Sequence, residues 1–272
     1  MSSGAKQLVQ IAKETVIGTV PSPFARQTLA FTDISLNQSV EKTESASITD
    51  NRLQQSSMIT SAEYSGELSA EAQYGAYDDL MAAAAFNAWA TNVLTFGGTT
   101  RQTFSVLLGY TDIANYHTFS GLHVNTFGID IPEAGLIGLT FGFMGTKRTT
   151  AAVAPVGTIT PASSNPRMSN ISVGDLLVDG ASVKGTACIT AFSFNWDNSM
   201  QVQKCLGAGL EVGAILEMSA KGTGSFTMAW STKAAELYEK QFTNGNISLS
   251  IPITDTAGNK YVLNIPKVEL TD

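Results

Sequence analysis

At 272 residues, 43% hydrophobic but only 14% charged, the chain can bury a sizeable core yet carries far less charge than the roughly 25% usual for a soluble domain. Its polar surface must therefore be mostly Ser, Thr, Asn, Gln and Gly, which suits strands whose uncharged faces meet neighbouring subunits. A net charge of −7 excludes the Lys and Arg clamps of ordinary nucleic-acid binders, but it leaves open a channel through which DNA slides without sticking.

In chain order, Thr28 to Leu36 reads as a strand. Glu41 to Met58 follows as a long polar segment containing Glu44, Asp50 and Arg52, with the look of a functional loop. From Glu63 to Tyr74 the alternation is strict. Glu63, Ser65, Glu67, Ser69, Glu71 and Gln73 share one face, and Tyr64, Leu68, Ala70, Ala72 and Tyr74 the other. Ala76 to Trp89 opens on Asp78 and Asp79 and runs into alanines, which favours a helix. Further strands are expected at Gln102 to Leu108, Thr118 to Ile131 and Leu136 to Met144, the last two joined by the turn Pro132-Glu133-Ala134-Gly135. Thr146 to Asn170, with Pro155, Pro161 and Pro166, reads as a linker or extended arm. After the turn signal Asp179-Gly180 come strands at Val183 to Trp196 and Ala214 to Trp230, then a helix at Ser231 to Phe242 capped by Ser231 or Thr232. Ile247 to Ile253 and Lys260 to Leu270 flank the turn Ala257-Gly258-Asn259. The chain thus reads as about ten strands and two helices.

Each helix follows a strand ending in an aromatic residue, Tyr74 or Trp230, and this points to an internal repeat. Phe31 with Ser39-Val40-Glu41 has a counterpart in Phe192 with Ser199-Met200-Gln201. Ser65-Gly66-Glu67-Leu68 matches Thr223-Gly224-Ser225-Phe226, and Ala76 to Leu80 matches Lys233 to Leu237. Thr111 to Asn115 matches Thr254 to Gly258, in the same order.

Catalytic and ligand-binding constellations are thin. His117 and His123 are the histidines available as bases, with no Gly-x-Ser-x-Gly elbow beside them, and they read as strand-surface residues. Gly207-Ala208-Gly209 lacks the Gly-Lys-Ser or Gly-Lys-Thr of a phosphate loop. Neither cysteine sits in a Cys-x-x-Cys pair, so no metal or cofactor is expected. The longest apolar run, Leu80 to Phe86, falls far short of the roughly 20 residues of a membrane span. The polar start Met1 to Lys6 lacks the apolar core of a signal peptide. A chain made in the cytoplasm is expected, with Cys188 and Cys205 reduced, buried and inert.

One set of residues, in this order and spacing, resembles the tail tube proteins of long-tailed, non-contractile phages over nearly the whole chain. It begins with Glu14, Gly18 and Pro21, then Leu29-Ala30-Phe31-Thr32, Ser45 to Arg52 and Ser65-Gly66-Glu67-Leu68. Tyr74 to Leu80, Ala88-Trp89, Phe119 to Asn125 and Phe141 to Gly145 continue it, and Leu237 to Gly245, Gly258 to Tyr261 and Ile265 to Val268 complete it. The resemblance implies an all-β fold with minor α, a β-sandwich with a flanking helix, assembled into stacked rings around a central β-barrel channel with six such domains per ring. With the internal repeat, residues 1–145 would form one domain with an N-terminal arm, 146–170 a linker or arm, and 171–272 a second domain. Three chains would then close a ring. The competing arrangement is one larger domain per chain and a true hexamer.

On this reading the protein is a structural virion component and not an enzyme, assembled in the host cytoplasm. It partners itself, with a tape measure protein and a tail terminator implied by the resemblance, while DNA passes without specific binding and no membrane is involved. Glu63, Glu67 and Glu71 are candidates to line the channel. Glu41, Glu44, Asp50, Arg52, Lys147 and Arg148 are candidates for contacts between subunits or rings. The alternative is a soluble carbohydrate-binding or adhesin-like β-sandwich module. Such a module needs exposed aromatic platforms, whereas Trp89, Trp196 and Trp230 all sit beside apolar sequence.

Overall fold

A computed structural model describes residues 6–47, 55–243 and 245–271. The chain opens with strands β1 (Gln7–Lys13), β2 (Arg26–Leu29), β3 (Asp33–Ile34), β4 (Asn37–Glu44) and β5 (Ser57–Glu71), followed by helix α1 (Asp78–Ala84). Strands β6 (Phe104–Tyr110), β7 (Asn115–Ile131), β8 (Gly138–Gly145), β9 (Lys147–Ala151) and β10 (Ile159–Thr160) complete the first part. Then come β11 (Leu177–Val178), β12 (Ala181–Ser182), β13 (Ile189–Asp197), β14 (Gln201–Gln203), β15 (Ala214–Leu216) and β16 (Lys221–Met228). Helix α2 (Thr232–Gln241) and strands β17 (Asn246–Thr254) and β18 (Lys260–Glu269) close the chain. The protein is mostly β with two short helices, as its patterning indicates.

Strand β7 organises the molecule because it belongs to two sheets. Its first half pairs with β6 and β9, and its second half with β8 and β13. The change of sheet falls near Gly121, whose φ of 64° is left-handed. A Cβ there would lie 2.2 Å from Thr146 Oγ1, so glycine alone permits this approach. One sheet runs β10-β2-β1-β6-β7-β9, the other β4-β5-β8-β7-β13-β16, with β3 also on β5. Between them lies an apolar core that includes Val9, Val106 and Phe119 from the first sheet and Leu68, Phe127 and Phe141 from the second. Leu80 and Ala84 of α1 join it. A third sheet, β12-β11-β17-β18, contributes Val178, Ile247 and Ile251 to the same core. The described strands form no closed barrel.

Several expectations change on folding. Strand β1 has no alternation to betray it, because both of its faces are covered and Val9 to Ala12 are all buried. The segment from Glu41 to Met58 is a β-ribbon at both ends, Glu41 to Glu44 in β4 and Ser57 and Met58 in β5. The arm from Thr146 likewise begins as strand β9. Helix α1 stops at Ala84, well before Trp89, because Phe86 turns left-handed (φ 53°) and buries its ring. Helix α2 keeps its expected bounds, with Ser231 Oγ accepting from Ala234 N at 3.1 Å. Both cysteines are exposed rather than buried. His123 is buried rather than on a strand surface, with Nδ1 against Gly121 O at 3.0 Å, and burial lowers its pKa.

One buried knot holds the sheets at their junction. Glu14, just past β1, is 8% exposed and accepts four hydrogen bonds. Oε2 receives Gly18 N and Thr103 Oγ1, each at 2.8 Å, while Oε1 receives Ser105 Oγ at 2.6 Å and Gly121 N at 2.9 Å.

Candidate functional site: a polar sheet face and two helix corners

The alternation of β5 survives folding: Tyr64, Leu68 and Ala70 are buried, while Glu63, Ser65 and Glu67 are exposed. Cross-strand pairing carries that division over the sheet, since residues opposite one another share a face. Ser65 faces Asn37 and Met144, and Glu67 faces Gly142, which faces Thr126. Thr126 pairs with Asp197, Gly128 with Asn195, and Asp130 with Ser193. Ser193 in turn pairs with Ser225, their hydroxyl oxygens 2.8 Å apart. The result is a continuous face of Ser, Thr, Asn and Gly six strands wide. Between the bulge at Glu41/Lys42 and the far edge it is studded with Glu41, Glu63, Glu67, Glu71, Asp130 and Asp197, with Lys221 on its last strand.

The three glutamates of β5 are not equivalent. Glu71 is ion-paired with Arg167. Glu63 pairs with Lys204 at 3.2 Å, and the same ammonium lies 3.8 Å from Glu41. A hydrogen bond from Ser61 Oγ, and then Lys204, hold the Glu41 carboxyl below its ordinary range. Of the candidate contact residues, Glu41 and Glu44 lie on the edge strand β4. Lys147 and Arg148 lie on β9 opposite Ser120 and Phe119, Lys147 being 4.0 Å from Glu211. Asp50 and Arg52 lie outside the described residues. Folding brings Glu41 and Glu63 together through Lys204 and leaves β9 in the other sheet. Among the described residues no cluster of His, Cys, Asp and Glu could hold a metal, and no helix is long and apolar enough to cross a membrane.

Sequence reasoning overlooked a long-range contact at the corner where β5 enters α1. Tyr261, on β18, packs its ring on Tyr74 at 4.9 Å and on Trp89 at 6.4 Å. Its hydroxyl donates to Asp78 Oδ1 and accepts from Gly75 N at 2.8 Å, while Trp89 Nε1 donates to Asp78 O at 3.0 Å. No local signal reveals this, because its partners are 183 residues apart. At a second corner, where β16 enters α2, Trp230, Tyr238 and Phe242 stack edge to face at 6.2 and 5.2 Å. They are 77%, 47% and 64% exposed. Trp230 is thus an exposed aromatic platform, against expectation, because no residue of the described chain covers it as Tyr261 covers Tyr74.

Burial pushes the Tyr77 hydroxyl up to about 12, and burial together with the Asp78 hydrogen bond raises Tyr261 as well. Above pH 10 the unfolded chain releases these protons while the folded chain retains them, so stability falls as pH rises through this range. The urea midpoint is expected to drop between pH 10 and about 12. A smaller drop in Tyr77→Phe would confirm the assignment, and an unchanged one would refute it.

Residues 4–271 match a family model described as phage tail tube protein. No curated protein matches the chain.

Proposed function

The chain belongs to the phage tail tube protein family, and on that premise we propose that it polymerises as stacked rings into the tail tube, its polar sheet face lining the channel for DNA ejection. The observation that carries this reading is the open six-stranded sheet, whose four inner strands β5, β8, β7 and β13 have one packed and one wetter face and whose edge strands β4 and β16 are exposed. Every neighbouring pair in the order β4-β5-β8-β7-β13-β16 is antiparallel. An even number of alternating strands lets the β16 edge of one copy meet the β4 edge of the next antiparallel, in a ring of any size. Both edges lack an outer partner among the described residues, and closing them on each other would remove a surface otherwise prone to aggregate. Glu41, Lys42 and Glu44 leave the β4 edge one charge negative, and Lys221 makes the β16 edge one charge positive.

On this reading Glu63, Glu67 and Glu71 face the lumen, where like charge keeps DNA centred over the roughly 8–10 Å reach of electrostatics at physiological salt. Glu41, Glu44, Asp50, Arg52, Lys147 and Arg148 belong to contacts between subunits or rings. A tape measure protein would occupy the lumen during assembly in the host cytoplasm, and a terminator would cap the finished tube.

We further propose tandem domains at 1–145 and 171–272, joined by 146–170, so that three chains make a ring. The order of elements supports this. The ribbon of β3 and β4 with β5, then α1, then the β6–β7 hairpin recurs as β13 and β14 with β15 and β16, α2 and the β17–β18 hairpin. Pairing of β1 with β6 recurs as β11 with β17. Three chains at −7 each give a ring of −21. The mass of isolated rings, or a reconstruction of the tube, is expected to show three chains. Six would discard the trimer and leave the tube, whereas a chain that stays monomeric when concentrated would discard both. The glycan-binding alternative has the exposed Trp230 in its favour, and affinity of that monomer for a glycan array would establish it.

A further inference from the structure

We propose that the exposed aromatic corner of α2, formed by Trp230, Tyr238 and Phe242, is the docking site for the β6–β7 hairpin of the next copy of this chain. The inference rests on the tandem-domain reading above and specifies which surfaces of neighbouring copies meet.

Its template is the contact within the chain. The hairpin of the second half, β17–β18, seats Tyr261 in the α1 corner of the first half, against Tyr74, Trp89 and Asp78. If the two halves are copies related by one rotation, the same rotation applied again carries the next chain's first half onto the second half. That step places the next chain's β6–β7 hairpin on the α2 corner, continuing the interface already formed inside the chain.

The two corners and the two hairpins correspond in detail. Tyr74 precedes α1 and Trp230 precedes α2 at the same point of the repeat. In the β17–β18 hairpin the second cross-strand pair from the turn is Ile253 with Tyr261. In β6–β7 the pair at that position is Gly109 with Tyr116. Tyr116 therefore stands where Tyr261 stands, half-buried beside Leu8. Ile113, at the tip between the strands, is 48% exposed.

The two corners differ in two respects, the first being that Ala235 stands at the position of Asp78 in the matched segments, so no carboxylate awaits a tyrosine hydroxyl there. Second, the α1 corner is already covered by a tyrosine from the same chain, while three aromatic rings of the α2 corner stand in solvent. Large exposed aromatic clusters on a soluble chain mark interaction sites, and aromatic anchors carry a disproportionate share of binding energy.

The test uses the full chain with the exposed Cys188 and Cys205 changed to serine. Ile113→Cys and Glu239→Cys are introduced together, the second beside the aromatic corner on an exposed site. Oxidation of concentrated, assembled protein is expected to give a covalent ladder ending at three chains, and oxidation of dilute monomer is expected to give none. Trp230→Ser with Phe242→Ser should raise the concentration needed for assembly about tenfold or more, with an unchanged far-ultraviolet spectrum because both side chains are exposed. Normal assembly of that double variant, together with rods of the cysteine variant that do not cross-link, would overturn the docking and leave the tube intact. A parent chain that forms neither rings nor rods would overturn the tube and the docking together.

Discussion

Replacing Glu14 with leucine is expected to cost about 3–5 kcal/mol of folding stability, the range for removing one partner from a buried charged network. The carboxylate is 8% exposed and is the acceptor for four donors drawn from three parts of the chain. Leucine fills the volume but accepts nothing, so two backbone N–H groups and two hydroxyls lose this acceptor inside the protein. Because one of them is Gly121 N, at the point where β7 passes between sheets, the damage falls on the joint that orients the polar face. Glutamine at position 14 keeps one oxygen acceptor and is expected to be milder, though its amide N–H2 would oppose donors already aimed at that place. Urea titration of parent, Glu14→Leu and Glu14→Gln compares the three directly. A leucine variant within about 1 kcal/mol of the parent would show that the knot does not hold the sheets.

Charge reversal on the sheet face should leave the fold intact and impair DNA passage. Glu67 and Asp130 suit the purpose because both are exposed and stand outside the ion pairs of Glu63 and Glu71. Reversing Glu63 or Glu71 would also break the ion pairs with Lys204 and Arg167 and confuse two effects. Glu67→Lys with Asp130→Lys changes each chain by four charges, from −7 to −3, and the proposed three-chain ring from −21 to −9. Substitutions on a solvated face usually stay within about 0.5 kcal/mol each, so tubes should still form. If the face lines the channel as proposed, the lysines would exchange repulsion for phosphate contacts, and DNA release from tails built with the variant should slow by about tenfold or more at low salt. The delay should shrink as salt rises, because released counterions drive such contacts. Assembled tails with normal delivery at every salt concentration, or a reconstruction with these carboxylates on the outer wall, would remove this face from the lumen.

The two faces of β5, the helix beginning after Ser231, and the turns at Asp179-Gly180 and Ala257-Gly258-Asn259 are legible in the amino-acid order alone. In each case the cause is local. A half-buried strand must alternate, an N-cap must accept a backbone N–H, and the two-residue turn between β11 and β12 needs left-handed residues, here with φ of 53° and 76°. The proposed repeat rests on the same kind of local signal, matched segments in the same order along the chain. Tertiary structure decided what depends on neighbours far along the chain. β1 is buried on both faces and so has no period, while β4 is exposed along nearly its whole length and is a strand only because β5 pairs with it. Whether an aromatic residue beside a helix is covered or bare was likewise beyond local reading. Tyr74 is covered because Tyr261 arrives from the other end of the chain, and Trp230 stands exposed because nothing arrives from within it. Periodicity reports the environment of a segment only when that environment repeats with the segment's own geometry, and contacts across nearly two hundred residues leave no such trace.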